Sequence, residues 1–307
     1  LLIVFAVPYG LGAGTIDAAL NNYVALHYTS RHMSWLHCFW GAGTIISPFV
    51  MSYTLSVANW NRGFLIIGLV QVVIGLLLLA TLPVWKTTSQ DVVAPQKSIG
   101  LAAALKIKGV PYLLIGFFAY CAAEATAMSW ASTYFVEVKA LSTQQAAQFA
   151  SLFYIGITVG RFFGGFITEK MGDRKMIITG TCILAAGIVL ILIPTEYYAV
   201  SLIGFVVTGL GCAPIYPCII HSTPDNFGAE NSGSIIGIQM ASAYVGSTFM
   251  PPLFGVIGNA LGFEWMPYYL ILFFALMIIM VELTFHATRK SASGVVFDDK
   301  TNDKNCK

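Results

Sequence analysis

Charge is what this chain lacks. Only 10% of its 307 residues are charged, against about a quarter in an ordinary soluble domain, while 57% are hydrophobic and mean hydropathy is +0.77. That balance excludes a water-soluble globule and points to an integral membrane protein. The ten-residue alternation of a membrane barrel strand is missing too, which leaves helices as the spanning structure. No small-residue cleavage site follows the first apolar run, so 1–27 reads as a true span and not as a signal peptide. Of the six cysteines, Cys38, Cys121, Cys182, Cys212 and Cys218 fall in or at the ends of spans and Cys306 in the tail, with no paired spacing outside, which predicts free thiols. A nucleotide-binding loop, a nucleophile elbow and a metalloprotease motif are all wanting, and the outer connections are too short for a catalytic domain. An enzyme, a cofactor and a metal site are therefore not expected.

What is present is a series of apolar runs, each near the roughly 20 residues that cross a bilayer core. They cover 1–27, 34–58, 63–85, 110–136, 144–168, 176–193, 197–222, 231–257 and 265–288, predicting nine transmembrane helices in an all-α membrane fold. Placing the N-terminus outside puts Arg31, Lys86, Lys97, Lys106, Lys108, Arg161, Lys170, Arg174, Lys175, Arg289, Lys290, Lys300, Lys304 and Lys307 in inner connections or the tail, and only Arg62 and Lys139 outside. Such an excess of inner positive charge fixes the orientation, with a cytoplasmic C-terminus. The net charge of +2 is thus accounted for by membrane anchoring and indicates no nucleic-acid partner. The organisation expected is a partial N-terminal half of three helices (1–85), a cytoplasmic linker (86–108), a six-helix C-terminal half (109–288) and a cytoplasmic tail (289–307).

Against this apolar background a few polar side chains stand out. At 100° per residue Gly10, Ala13, Gly14, Asp17 and Asn21 share one face of the first span, and Tyr120, Glu124, Ala127, Ala131 and Tyr134 share a face of the fourth, with Trp130 at its edge. A charge in mid-membrane costs at least about 2.5 kcal/mol on insertion scales, so an intramembrane acid is a functional candidate by default. Asp17 and Glu124 are the candidates for proton coupling. Asn21, Tyr120, Trp130, Tyr134, Tyr216 and Gln239 are candidates for a solute cavity, in which aromatic faces beside polar groups suit a sugar ring. The bland alternatives are acids hydrogen-bonded to a neighbouring helix and aromatics that only pack. His27, His32 and His37 recur at spacings of five, which do not align ligands on one helix face, and read as interface polarity.

The chain also repeats itself. Gly10-Leu11-Gly12 recurs as Gly209-Leu210-Gly211, and the next span in each case carries a glycine five residues before a proline, Gly43 to Pro48 and Gly246 to Pro251. Parallel six-span repeats are a transporter architecture with the solute bound between halves, and in that frame Tyr216 takes the position of Asp17. The stretch GRFFGGFITEKMGDRK, 160–175, resembles the conserved inner loop of the major facilitator superfamily, in its second-half copy. Gly165, Glu169, Lys170, Gly172, Asp173 and Arg174 stand at the motif's positions, with Glu169 where aspartate is usual and Asp173 where a base is common. GLGAGTIDAALNNYVALH followed by SWLHCFWGAGTIISP is similar to the fourth and fifth helices of the fucose permease family of sugar:proton symporters. The resemblance implies a twelve-helix fold of which this chain lacks the first three, alternating access, and a coupling role for Asp17 with Asn21 beside it. It further implies a cytoplasmic gate at Gly165, Glu169, Gly172, Asp173 and Arg174, in which Glu169 and Arg174 make ion pairs that hold the outward-open state.

The function expected is secondary active transport of a small, sugar-like solute with protons, by a monomer in the cell membrane. The alternatives are an exporter of amphipathic compounds and a transporter-derived receptor that moves no solute.

Overall fold

A computed structural model describes residues 2–84 and 99–295. Its long helices are α1 (Leu2–His27), α2 (Ser30–Val57), α3 (Trp60–Thr81), α5 (Val110–Glu137), α6 (Thr143–Met171), α7 (Asp173–Leu192), α8 (Tyr198–Cys212), α11 (Ala229–Leu261) and α12 (Met266–Val295). Short helices α4 (Leu101–Ala104), α9 (Ile215–His221) and α10 (Thr223–Phe227) join them. Among the described residues there is no strand, because apolar segments with no water to satisfy their backbone groups must satisfy them internally.

Among the described residues eight segments are long and apolar enough to cross a membrane, one of them being α8 and α9 together. The ninth span expected from the sequence, α2, is long enough at 28 residues but falls short in apolarity. The reason is its setting: Ser34 and His37 on α2 are buried against protein, so lipid does not select their chemistry. The expected linker 86–108 holds α4, and the helix expected to stop at 288 continues to Val295. Lys86, Lys97, Lys300, Lys304, Lys307 and Cys306 lie outside the described residues. The five other cysteines are free thiols.

The core sits in the six-span part, α5 to α12. Two thirds of the most apolar window of α5 is buried (67%), whereas the corresponding windows of α1 and α3 are not buried at all (0%). Glycines explain how closely that core packs. A Cβ on Gly209 would stand 2.6 Å from the Phe153 carbonyl oxygen of α6, and one on Gly211 2.3 Å from the Leu184 nitrogen of α7. The second Gly-Leu-Gly thus lets α8 touch two helices at backbone distance, as small residues do in membrane bundles. In the first copy, Gly10 and Gly12 have nothing within 4 Å of a built Cβ. On α6, Gly156 and Gly160 complete the contact with α8, while Gly164 meets only the tip of Met176.

Two irregular points place functional groups. Gly172, at φ 78° and ψ 156°, ends α6 and starts α7 without a connecting loop, a conformation nearly closed to residues with a Cβ. The α8–α9 span is interrupted at Ala213-Pro214, and just before that point the Cys212 carbonyl accepts a hydrogen bond from the Tyr120 hydroxyl at 2.9 Å.

Candidate functional site

A cavity of about 490 Å³ lies between α1 and α2 on one side and α5, α6, α9 and α11 on the other. Both intramembrane acids line it, with His37, Trp40, Arg161, Tyr216 and Tyr244. From α1 it takes Tyr9, Ala13 and Asp17, one face of that helix, and none of the residues near His27. It therefore extends from mid-membrane toward the end at which α1 begins.

Asp17 is held entirely by donors. Asn21 Nδ2 donates to its Oδ1 at 2.9 Å and the Tyr244 hydroxyl donates to its Oδ2 at 2.5 Å. The second bond crosses from α1 to α11, so this carboxylate ties the three-helix part to the six-helix part at cavity level. Asn21 is fully buried and spends its other amide atom on His37: Nε2 of the ring stands 3.1 Å from Asn21 Oδ1. Because that oxygen only accepts, the ring nitrogen facing it carries the proton. The His37 ring packs edge-on against Tyr216 at 4.7 Å between centroids.

Glu124 is paired with a residue that the sequence reading had assigned elsewhere. Arg161, counted there among the inner positive charges, is only 3% exposed in the interior of α6 and donates through Nη2 to Glu124 Oε1 at 3.3 Å. Its guanidinium also lies 5.3 Å from the Trp40 ring and 5.9 Å from the Tyr216 ring, and Nη1 donates to the His37 carbonyl at 3.4 Å. The Tyr120 hydroxyl completes the group, 2.8 Å from Glu124 Oε1. A basic residue ten positions from the end of its helix was a signal for an interior partner, and periodicity on Glu124 alone did not supply it. His37 likewise leaves the interfacial role expected of it, whereas the His27 ring turns back to its own helix at Tyr23. Tyr244, on the span opposite Asp17, carried no pattern in the sequence that set it apart.

The other expected cavity residues divide. Tyr216 lines the cavity. Gln239 is buried beneath it, accepting from Thr223 Oγ1 at 3.1 Å. Trp130 donates to the Pro251 carbonyl at 2.8 Å and fills the space beside Gly255, and Tyr134 packs on Phe135 and Phe205. Neither lines the cavity: both close the gap between helices of the six-span part. Among the described residues no group of three or more His, Cys, Asp or Glu is placed to hold a metal.

At the opposite end a polar cluster joins the turn between α1 and α2 to α6, α7 and α9. Arg31 is ion-paired with Glu169, which also accepts from Thr29 Oγ1 at 2.8 Å. Ser30 Oγ donates to Asp173 Oδ1 at 2.7 Å, and the His221 ring bridges Asp173 Oδ2 at 2.6 Å and the Tyr28 carbonyl at 3.1 Å. Gly165 is where Trp35 fits, since a Cβ there would stand 2.7 Å from its indole nitrogen. Arg174 differs from its neighbours: it pairs with Glu282 at 3.1 Å, inside the six-span part. Glu169 and Arg174 thus each have an ion pair, but only that of Glu169 crosses between the two parts.

A model of the Major Facilitator Superfamily matches residues 1–152 and 113–302. Bypass of stop codon protein 6 of Saccharomyces cerevisiae is 25% identical over 296 residues, covering 85% of this chain and 59% of its own length. The hexuronate transporter of Bacillus subtilis is 24% identical over 288 residues, 85% of this chain and 67% of its own. The glucose/mannose transporter of the same organism is 24% identical over 230 residues, 70% and 55% respectively. The chain therefore spans about three-fifths of the length of such relatives. Among solved structures, the superfamily transporter FucP in its outward conformation superposes with a TM-score of 0.70 at 18% identity, over 88% of this chain and 72% of that one. A bacterial homologue of the iron transporter ferroportin, in an outward-facing state, gives 0.72 at 11% identity over 91% and 70%.

Proposed function

Because the chain belongs to the major facilitator superfamily, a family of multi-pass membrane transporters, we propose that it serves the movement of a small, sugar-like solute by alternating access, coupled to protons through Asp17. The observation that carries this reading is the setting of Asp17: a carboxylate on a cavity wall whose Tyr244 bond spans the two parts that must separate. A proton on Asp17 removes one acceptor from that contact, so proton occupancy and the relative position of the parts are linked. The relatives named for hexuronate and for glucose and mannose support a sugar-like solute.

In this reading the cavity faces the outer side of the cell membrane and the cluster around Glu169 and Asp173 closes the cytoplasmic side, with the C-terminus cytoplasmic and the protein working as a monomer. Trp40, Tyr216 and Tyr244 offer ring faces to the solute, and Asn21 keeps Asp17 and His37 in register whatever the charge of the acid. The test is Asp17→Asn in proteoliposomes. Solute exchange should survive in this permanently neutral form, while accumulation driven by a pH gradient should fall well below the wild-type level. Accumulation at the normal level would exclude Asp17 as the coupling acid.

A further inference from the structure

Resting on that reading, we infer that the solute carries a carboxylate, a sugar acid in place of a neutral sugar, and that Arg161 receives it when Glu124 takes up a proton. Arg161 has five N–H groups. Two are used, by the His37 carbonyl and by Glu124 Oε1, and its buried Nε has no hydrogen-bond partner. Such a guanidinium is half-satisfied, and it is built into a cavity wall between two aromatic rings.

Glu124 is equipped for two charge states. Its Oε1 stands 2.8 Å from the Tyr120 hydroxyl, which also stands 2.9 Å from the Cys212 carbonyl. That hydroxyl has one proton and faces two acceptors. With Glu124 ionised, the tyrosine donates to the carboxylate. With Glu124 protonated, the acid donates to the tyrosine oxygen, which turns its own proton to the Cys212 carbonyl. No heavy atom has to move. Among the described residues Glu124 Oε2 is offered no donor, so only Arg161 and Tyr120, both on Oε1, favour its charged form.

Charge bookkeeping then links two events. A proton on Glu124 alone strands Arg161, a cation that cannot deprotonate, in the membrane interior. An anion on Arg161 alone sets a second negative group against Glu124. Together the two cancel, so the proton and the carboxylate enter as a pair. The other titratable groups facing this site do not alter the balance. Tyr154 on α6 and Tyr216 on α9 are phenols, and Cys121 on α5 and Cys212 on α8 are buried free thiols. Asp17 on α1 is committed to Asn21 and Tyr244, His37 on α2 to Asn21, and Glu282 on α12 to Arg174.

The experiment is counterflow exchange in proteoliposomes of the full chain, at pH 5.5, 6.5 and 7.5. The probes are glucuronate, galacturonate and gluconate, each against its neutral counterpart glucose, galactose or glucitol. At least one acid should exchange with an apparent affinity ten-fold or more above its neutral partner, falling up to about ten-fold per pH unit as pH rises, as one linked proton requires. Glu124→Gln should hold the low-pH affinity at every pH, and Arg161→Gln should lose the acid at every pH. The double variant E124Q/R161Q removes both charges together and serves as the folding control, expected to exchange no acid while remaining monodisperse. Exchange of neutral sugars in preference to their acids overturns the inference and leaves proton-coupled transport standing. Exchange of none of the six by well-folded protein also overturns it, whereas the transport reading stands or falls on the Asp17→Asn comparison.

Discussion

Arg161 and Glu124 differ in what each does when left alone, and that difference is measurable. The pair is buried, with side chains 3% and 10% exposed, and removing one partner of such a pair costs about 3–5 kcal/mol. In Arg161→Met the survivor is a carboxyl, which escapes by taking a proton. For an ordinary glutamate that protonation costs about 3.7 kcal/mol at pH 7 and about 1.4 kcal/mol less for each unit of pH below it. The penalty therefore has a ceiling, and it shrinks to about 1 kcal/mol by pH 5. In Glu124→Gln the survivor is a guanidinium, which holds its proton throughout, so that penalty does not change with pH. Thermal unfolding of the purified protein in detergent at pH 7.5 and pH 5.0, each variant against wild type at the same pH, reads both. The Arg161→Met deficit should fall by more than half on acidification and the Glu124→Gln deficit should stay level. The double variant should lose less than the two single losses added, because neither charge is then stranded. A deficit in Arg161→Met that is equal at both pH values, or strictly additive losses, would refute the reasoning.

The glycine repeat and the polar cluster around Glu169 and Asp173 give further expectations. Gly211→Ala drives a methyl into the α7 backbone at Leu184 and should lower the melting temperature sharply, whereas Gly12→Ala, with nothing within 4 Å, should leave it within error in the same scan. Arg31→Ala and Asp173→Asn cut ties between the turn at 28–31 and the six-span part, so each should change turnover in single-turnover exchange more than it changes solute affinity. Arg174→Ala breaks a bond internal to that part and should shift stability with little effect on that ratio.

The helices were legible in the sequence because lipid imposes one requirement on every residue of a span, and apolar run length reports it directly. Where protein replaces lipid as the neighbour, that reporter weakens. α2 has its polar residues turned onto protein and is the one expected span that length and apolarity do not recover together. The same cause hid Arg161: a positive charge in a long helix is read from sequence as marking the inner surface, and only the facing Glu124, 37 positions earlier, shows that it belongs to the interior. Asp17 and Asn21 were legible because one helical turn brings them together, a local relation. Their partners Tyr244 and His37 come from other helices, and no periodicity within one segment encodes which helix will be opposite.

The two copies of the Gly-Leu-Gly motif lie at 10–12 and 209–211. Identical in sequence, they differ in surroundings: Gly209 and Gly211 are packed to backbone contact, and Gly10 and Gly12 touch nothing within 4 Å. The face of α1 that carries Gly10 and Gly14 also carries Ala13 and Asp17, which line the cavity. In the proposed transport, a glycine at 14 keeps the wall low beside Asp17. On this argument Gly14→Leu, 4.0 Å from the Tyr244 ring by its Cβ, should weaken solute affinity at least ten-fold while leaving melting within about 2 °C, since no packed neighbour is displaced. A fall in stability with affinity unchanged would place Gly14 in a helix contact and remove it from the solute path.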